Sequence, residues 1–172
     1  HGLSGYPEDG LDRMNHVVDS IIEGGADAIV CQKGVLSHQS SRTGWDGFVC
    51  HVSASTAHGG SNSQFKVKVA SAKEALSRGA TGVSGQINLG DENEPSMLLD
   101  MGQLTAEAHD VDMPVLGMVY PRGPNLTPLP NDITGGVAHA ARVAYELGCH
   151  VVKVPWTGNA ESFRKVCEAV PI

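Results

Sequence analysis

A lysine interrupts a short apolar run in the stretch Gly148-Cys149-His150-Val151-Val152-Lys153-Val154-Pro155-Trp156-Thr157-Gly158. A glycine precedes the run and a Pro-x-Thr-Gly turn follows it, which predicts a strand entered from a helix. A buried ammonium group loses hydration that apolar neighbours do not replace, so this lysine is paired, reaches solvent, or is neutral. A neutral amine is a nucleophile toward carbonyl carbons, whereas a lysine on an edge strand can simply point into water. Both interpretations stay open from this stretch alone.

The composition predicts one soluble domain with a sizeable core. The chain has 172 residues, of which 41% are hydrophobic, and a net charge of -7, which argues against nucleic acid as a partner. No run is long enough to span a bilayer, so no membrane partner is expected. The four cysteines, at positions 31, 50, 149 and 167, contain no C-x-x-C pair. They are typical of reduced thiols in a cytoplasmic protein.

Apolar runs predict five strands: Ala28–Cys31, Phe48–Val52, Gly82–Asn88, Val115–Tyr120 and the opening stretch. Most of them begin about 30 to 36 residues apart, the spacing of β-α units with right-handed crossovers. Their apolar character predicts a parallel sheet covered on both faces. The first two strands lie closer together, and the residues from Ser37 to Gly44 read as a polar loop. We therefore expect the crossover helix there to be stunted or missing.

Helices are predicted between the strands and at the two ends of the series. Leu11 to Ile22 form an apolar stripe, and Ser71 with Glu74 forms a capping-box pattern. Further helical patterns are predicted over Met97 to Ala108, over Ile133 to Leu147, and over Phe163 to Val170, where Cys167 is expected on the apolar side.

Two α/β architectures fit this order, an open doubly wound sheet and part of a (β/α)8 barrel. No G-x-G-x-x-G turn joins a strand to a helix, which counts against a dinucleotide-binding sheet. Polar residues stand instead at the carboxyl ends of the strands, where barrel enzymes build their sites: Lys33, His51, Ser53, Asn88, Tyr120, Arg122 and Lys153. A barrel needs about 250 residues, so we expect residues 1–172 to be one incomplete barrel domain.

Lys153 and Tyr120 are the candidate catalytic pair. A lysine amine forms an iminium with a ketone or aldehyde, and a nearby phenol can move protons during the reaction. Arg122 is a candidate clamp for a phosphate or carboxylate. Each has a plainer alternative, since a strand-end tyrosine can simply be amphipathic and an arginine can simply be solvated.

Other polar residues at the strand ends carry weaker predictions. Lys33 is a candidate second cation near Lys153, or else a solvated loop lysine. His51 is a candidate base or a hydrogen-bonded strand residue. The hydroxyls of Ser53, Ser55 and Thr56 could face a substrate or only shape a turn. The eight histidines lack ligand spacing, which disfavours a metal-dependent enzyme, so neither metal nor cofactor is expected.

Several stretches together resemble the archaeal-type (DhnA-type) class I fructose-bisphosphate aldolases. This family includes 2-amino-3,7-dideoxy-D-threo-hept-6-ulosonate synthase. The matching stretches run in order along the whole chain: HGLSG, GGADAIVCQKG, HVSAST, INLGDENE, MVYPRG, HAARVAYELG, VVKVPWTG and ESFRKV. The most specific are Tyr-Pro-Arg-Gly at 120–123 and Val-Val-Lys with Thr-Gly at 151–158.

The resemblance implies a (β/α)8 TIM barrel, of which this chain would cover about strands 2 to 6. It implies a Schiff-base lysine at Lys153 and a proton-transferring tyrosine at Tyr120. The family's general-base aspartate would stand just before His1, and its phosphate-binding turns would follow Ile172. The first strand and the last two β-α units are therefore expected outside this chain. The substrate-binding residues that the resemblance implies are His1, Gly2, Leu3, Ser4, Pro121 and Arg122.

The predicted function is a class I aldolase acting on a phosphorylated ketose, of the fructose-bisphosphate aldolase type. One alternative is the heptulosonate synthase, which Met118 favours because the sugar-bisphosphate aldolases often carry tryptophan there. Pro155-Trp156 also departs from the family pattern and leaves specificity open. The other alternative is a non-catalytic sugar-phosphate-binding barrel. The full-length protein is expected to be a homo-oligomer, and the 172 residues alone are expected to have little activity.

Overall fold

The computed structural model describes residues 10–126 and 133–171, and its centre is a five-stranded parallel sheet. The sheet has the order β1-β2-β5-β6-β7, and a separate two-stranded antiparallel ribbon pairs β3 with β4. The strands are β1 Ile29–Gln32, β2 Phe48–His51, β3 Ser53–Ala54, β4 Val67–Lys68, β5 Gly82–Leu89, β6 Val115–Pro121 and β7 Val151–Lys153. The helices are α1 Met14–Glu23, α2 Lys33–Thr43, α3 Ala72–Ser77, α4 Glu94–His109, α5 Thr134–Glu146 and α6 Ala160–Glu168.

The five predicted parallel strands are confirmed, and their register separates an apolar face from a more polar one. Cys50 pairs with Val83, and Val83 pairs with Val115, so these three side chains share one face. The other face carries polar side chains on every strand: Gln32, His51, Ser84, Gln86, Asn88, Tyr120 and Lys153. The alternation therefore gathers the chemically active groups of different strands on one side of the sheet.

Helices α4 and α5 cover the apolar face, and two glycines in the sheet let them approach closely. Gly85 and Gly117 are register partners on β5 and β6. A Cβ atom at Gly85 would lie 3.0 Å from Cε of Met101 in α4. A Cβ atom at Gly117 would lie 2.7 Å from Sγ of Cys149 and 3.3 Å from Cβ of Ala144 in α5. Because these two positions have no side chain, the helices pack directly against the backbone of the sheet. This close packing holds β5 and β6 in place.

The expectation of a stunted crossover between the first two strands was wrong. Helix α2 fills the segment that reads as a polar loop. Its sequence is polar because only Leu36 and Gln39 are buried, and Gln39 is satisfied by hydrogen bonds with Asn15 and Arg42. A buried glutamine that bonds to distant side chains leaves no apolar stripe for sequence reasoning to detect. Gly44, at φ 64°, ends the helix in the left-handed conformation.

The apolar pattern predicted a parallel sheet covered on both faces, without specifying what covers each face. Apolar strands can face helices on one side and a barrel interior on the other, which the pattern of apolar residues alone does not distinguish.

The predicted capping box is confirmed in part, since the Ser71 hydroxyl accepts a hydrogen bond from the backbone N–H of Glu74. The carboxylate of Glu74 pairs instead with Arg78 and Lys33.

The cysteines are free thiols, and three of them belong to the core. Cys31, Cys50 and Cys149 are buried, whereas Cys167 is exposed, so its predicted place on the apolar side of the last helix was wrong. Burial raises the pKa of Cys31 to about 12 and of Cys149 to about 11, which keeps both protonated and unreactive. No described helix is both long and apolar enough to cross a membrane.

Candidate active site

Lys153 and Tyr120 share one face of two neighbouring strands. Lys153, the last residue of β7, is the register partner of Met118 on β6. Tyr120 follows Met118 by two residues, which returns its side chain to the same face. Neighbouring strands lie about 4.8 Å apart, so both side chains border the same space at the carboxyl edge of the sheet. An amine and a phenol placed this way can act on one carbonyl substrate.

The turn after β6 fixes Arg122 over the ring of Tyr120. The guanidinium carbon of Arg122 lies 4.1 Å from the ring centroid of Tyr120, within the range of a cation–π contact. The backbone N–H of Gly123 donates a hydrogen bond of 2.8 Å to the carbonyl of Leu89, which joins this turn to the end of β5. A Cβ atom at residue 123 would lie 1.8 Å from the carbonyl carbon of Gly90. Only glycine fits there, which gives the Tyr-Pro-Arg-Gly motif a steric reason.

A polar cavity of about 410 Å³ opens beside Tyr120. Among the described residues, its lining contains two cations and several neutral hydrogen-bonding groups, but no carboxylate: Ser55, Thr56, Ala57, Ser63, Gln64, Lys66, Gln86, Tyr120 and Arg122. Of these, the sequence had indicated Ser55, Thr56, Tyr120 and Arg122. Lys66 and Gln86 were missed.

Lys66 is held in this cavity by the ribbon of β3 and β4. Its ammonium group donates hydrogen bonds to the hydroxyl of Ser55 and to the carbonyl of Ser63. Burial lowers the pKa of Lys66 below its ordinary value, and the positive charge of Arg122 lowers it further. Two cations that repel each other across a cavity form an environment that favours an anion between them.

Gln86 belongs to a row of hydrogen bonds across the strand ends. Its backbone N–H donates to the hydroxyl of Ser53 over 2.9 Å, and its side-chain amide donates to Oδ1 of Asn88 over 3.0 Å. The amide of Gln32 donates to the carbonyl of Ser53 over 3.1 Å. These bonds hold the polar side chains in fixed positions, which a binding site requires.

His51 lies deeper on the same face of the sheet and is nearly inaccessible to solvent. Its Nδ1 atom is 2.7 Å from the hydroxyl of Ser84, its register partner on β5. Burial, together with the charges of Lys66 and Lys153, lowers the pKa of His51 to about 4. The interpretation as a hydrogen-bonded strand histidine therefore holds, and the imidazole is neutral at physiological pH.

The remaining predicted site residues fall in different places. Pro121 and Arg122 lie in the turn beside Tyr120, whereas His1, Gly2, Leu3 and Ser4 lie outside the described residues. Lys33 was expected near Lys153, but it is at the opposite edge of the sheet. There it begins α2 and pairs with Glu74 over 3.2 Å. Across residues 10–126 and 133–171, no cluster of three or more metal-ligating side chains occurs.

A comparison with protein families shows to which family the chain belongs. The sequence profile of the DeoC/LacD family aldolases matches residues 1–172. The chain belongs to this aldolase family. A synthase of 2-amino-3,7-dideoxy-D-threo-hept-6-ulosonate from Halobacterium salinarum is 31% identical over 169 residues, which cover 98% of this chain and 62% of that protein.

A second relative carries a related name. The 2-amino-4,5-dihydroxy-6-oxo-7-(phosphonooxy)heptanoate synthase of Streptomyces griseus is 33% identical, with 100% of this chain and 62% of that protein covered. The chain thus spans about three fifths of the length of these relatives.

Solved structures of aldolases establish the architecture. An archaeal fructose-1,6-bisphosphate aldolase, whose catalytic lysine holds a carbinolamine intermediate, aligns with a TM-score of 0.81 at 23% identity. The alignment covers 98% of this chain and 67% of that one. The fructose-bisphosphate aldolase of Slackia heliotrinireducens aligns with a TM-score of 0.82 at 22% identity, covering 97% and 57%. The fold is therefore a partial, barrel-like α/β fold with five parallel strands, as the barrel prediction required.

Proposed function

We propose that the full-length protein is a Schiff-base aldolase that forms or cleaves a C–C bond in a phosphorylated ketose. Lys153 is the nucleophile and Tyr120 transfers protons. The observation that carries the proposal is that these two side chains share one face of β6 and β7, at the carboxyl edge of the sheet. Membership of an aldolase family along the whole chain supports the same chemistry.

In the cleavage direction, the unprotonated amine of Lys153 attacks the ketone carbon, and the carbinolamine loses water to give an iminium ion. The bond between the α-carbon and the hydroxyl-bearing β-carbon then breaks, and its electrons move toward the iminium to form an enamine. The hydroxyl group on the β-carbon loses its proton, and that carbon becomes the aldehyde carbon of the departing fragment. Protonation of the enamine and hydrolysis release the second product and restore the amine. No oxidant or reductant is consumed.

Tyr120 is suited to the proton transfers because its phenol both donates and accepts hydrogen bonds. It can give a proton to the hydroxyl that leaves the carbinolamine, and it can take one from the fragment that becomes the aldehyde. Arg122, stacked on the ring at 4.1 Å, brings a permanent positive charge to the same place. That charge favours an anionic substrate.

The names of the relatives suggest which two molecules are joined. The Streptomyces griseus relative is named for a seven-carbon product with a carboxylate at one end, a 6-oxo group and a phosphate on carbon 7. A C–C bond between its two hydroxyl-bearing carbons divides it into dihydroxyacetone phosphate and a four-carbon α-amino-acid semialdehyde. We extend this pair to the present protein, because the relative at 33% identity is a synthase of that compound.

Cleavage of fructose 1,6-bisphosphate is the second candidate. Its aldehyde product, glyceraldehyde 3-phosphate, also ends in an anion, which suits the positively charged cavity beside Tyr120. An assay of both aldehydes with the same donor separates the two candidates. The preferred aldehyde is the one with the higher kcat/KM.

Borohydride trapping tests the shared mechanism. Sodium borohydride, added to the full-length protein with dihydroxyacetone phosphate, should reduce the iminium to a stable amine on Lys153, found by peptide mass spectrometry. Lys153→Met should abolish the adduct, whereas Lys165→Met, at an exposed lysine of α6, should retain it. Absence of any adduct at Lys153 in the unmodified protein, with sugar phosphate still bound, would favour the non-catalytic binding barrel.

Two further properties belong to the proposal. We place the full-length protein in the cytoplasm, as a homo-oligomer with neither nucleic acid nor membrane as partner. The buried free thiols Cys31, Cys50 and Cys149 support a reducing compartment. Sedimentation of the full-length protein measures its oligomeric state.

A further inference from the structure

We infer that Lys66 and Arg122 together bind the anionic end of the acceptor aldehyde, on the side of Tyr120 away from Lys153. This inference rests on the proposed aldolase function and adds to it the group that recognises the acceptor. It also assigns a role to Lys66, a residue of the segment between β3 and β4 that the catalytic proposal leaves unused.

Both charged side chains in the described lining of the cavity are positive. Lys66 and Arg122 both line it, and no aspartate or glutamate among the described residues does. Neither cation forms an ion pair within residues 10–126 and 133–171, whereas Lys33, Lys68 and Arg78 each pair with a glutamate. A half-buried ammonium without a carboxylate partner gains most from a bound anion, because the anion removes both the desolvation cost and the repulsion from Arg122.

The neutral groups of the cavity complete an anion site. The hydroxyl of Thr56 and the second amide hydrogen of Gln86, whose first is donated to Asn88, are hydrogen-bond donors in the same lining. Hydrogen bonds to Ser55 and to the carbonyl of Ser63 already fix the direction of the Lys66 ammonium. A carboxylate or phosphate entering the cavity therefore meets preorganised donors, which reduces the entropy lost on binding.

The position of the cavity determines which part of the substrate it receives. Lys153 lies on the edge strand β7, next to β6. The cavity lies on the other side of Tyr120, over β5 and the ribbon, as Gln86 and Ser55 in its lining show. A substrate held covalently at Lys153 passes Tyr120, where the C–C bond forms or breaks, before it reaches Lys66. The group bound by Lys66 therefore belongs to the acceptor half of the molecule.

The chemistry of the site admits a carboxylate or a phosphate. An arginine offers a planar pair of donors to either group, and a lysine offers a point charge. Both candidate acceptors carry such a group at the end away from their aldehyde. A neutral aldehyde of similar length, such as glyceraldehyde, lacks it.

The test compares acceptors in variants of the full-length protein. Dihydroxyacetone phosphate is held at saturation while the α-amino-acid semialdehyde, glyceraldehyde 3-phosphate or glyceraldehyde is varied. Lys66→Met should raise KM for the preferred anionic acceptor by about 10-fold or more, as expected for the loss of a charge-assisted hydrogen bond, with less than about a 2-fold change for glyceraldehyde. Lys66→Arg should restore most of the affinity. Lys73→Met, at an exposed lysine of α3, is the matched control and should change neither.

Three outcomes separate this inference from the proposed function. If borohydride still labels Lys153 but Lys66→Met raises KM equally for charged and neutral acceptors, the acceptor role is overturned and the aldolase mechanism stands. If Lys153 is not labelled, binding of inorganic phosphate, followed by calorimetry, tests the anion site by itself. Weaker binding to Lys66→Met than to Lys73→Met then supports it, and equal binding overturns it.

Discussion

Lys153 stands directly beside Met118 in the register of β7 and β6, and Tyr120 follows two residues further along the same face. Backbone pairing alone therefore brings an amine and a phenol to one edge of the sheet. Since the pairing of the strands fixes both Cα positions, either side chain can be changed while the other keeps its place.

Tyr120→Phe tests the role of the phenol. The substitution keeps the ring on which Arg122 stacks at 4.1 Å, so the geometry should survive while the proton donor is lost. We expect kcat to fall by about 10² to 10⁴, the usual range for a general acid–base group, with a small change in KM. Steady-state kinetics and single-turnover trapping at Lys153 measure the two effects. A kcat within about 3-fold of the unmodified enzyme would show that another group moves the proton.

Gly123→Ala tests whether the turn after β6 positions Arg122 and Tyr120. The new methyl group would lie 1.8 Å from the carbonyl carbon of Gly90, and backbone on both sides has to shift. We expect kcat/KM to fall by on the order of 10-fold or more, because misplacement by about 1 Å is costly in an active site. Gly34→Ala, in the polar helix α2 with nothing within 4 Å of the new atom, is the control. Equal activity in both variants would contradict the positioning role.

Gly117 and Gly102 test the packing of the helices against the sheet, because Gly117 is tightly surrounded and Gly102 is not. A methyl group at Gly117 would meet Sγ of Cys149 at 2.7 Å and Cβ of Ala144 at 3.3 Å, so overpacking should destabilise the fold by about 1 to 3 kcal/mol. A methyl group at Gly102, inside α4, meets nothing within 4 Å. Gly102→Ala should therefore stabilise by about 0.5 to 1 kcal/mol through helix propensity. Urea unfolding gives both signs, and a stabilising Gly117→Ala would refute the close packing.

The candidate site could be predicted from sequence where its residues belong to regular strands. Lys153 and Tyr120 interrupt apolar runs near their carboxyl ends, and parallel strands bring such ends together. Lys66 gave no such signal, because it lies outside all five predicted strands, after a glycine- and serine-rich stretch. Its place beside Arg122 depends on the antiparallel pairing of Ala54 with Val67, a contact that the local pattern does not specify.

Helix α2 escaped prediction for a related reason. Its buried polar residue, Gln39, bonds to Asn15 and Arg42, so the helix is stabilised by side chains that look solvent-exposed in sequence. Lys33 was misplaced for another reason, because β1 and β7 lie at opposite edges of the sheet and local patterns do not specify the order of strands. Periodicity detects apolar burial, and it fails where polar networks take its place.

The pH dependence of stability tests the buried state of His51. Burial and the charges of Lys66 and Lys153 lower its folded pKa to about 4, against about 6.5 in the unfolded chain. Between these values the unfolded state binds more protons, so unfolding becomes easier as the pH falls. The contribution of His51 is fully present above pH 6.5 and is lost toward pH 4, with a total of about 3 kcal/mol.

His51→Gln keeps a hydrogen-bonding partner for Ser84 but does not titrate. The free energy of unfolding, measured in urea between pH 4.5 and 7, should therefore fall less steeply for His51→Gln than for the unmodified protein. Because the carboxylates and the other histidines titrate equally in both proteins, the difference between the two curves gives the contribution of His51 alone. Parallel curves would mean that His51 is as easily protonated in the folded protein as in the unfolded one, contrary to its burial beside Ser84.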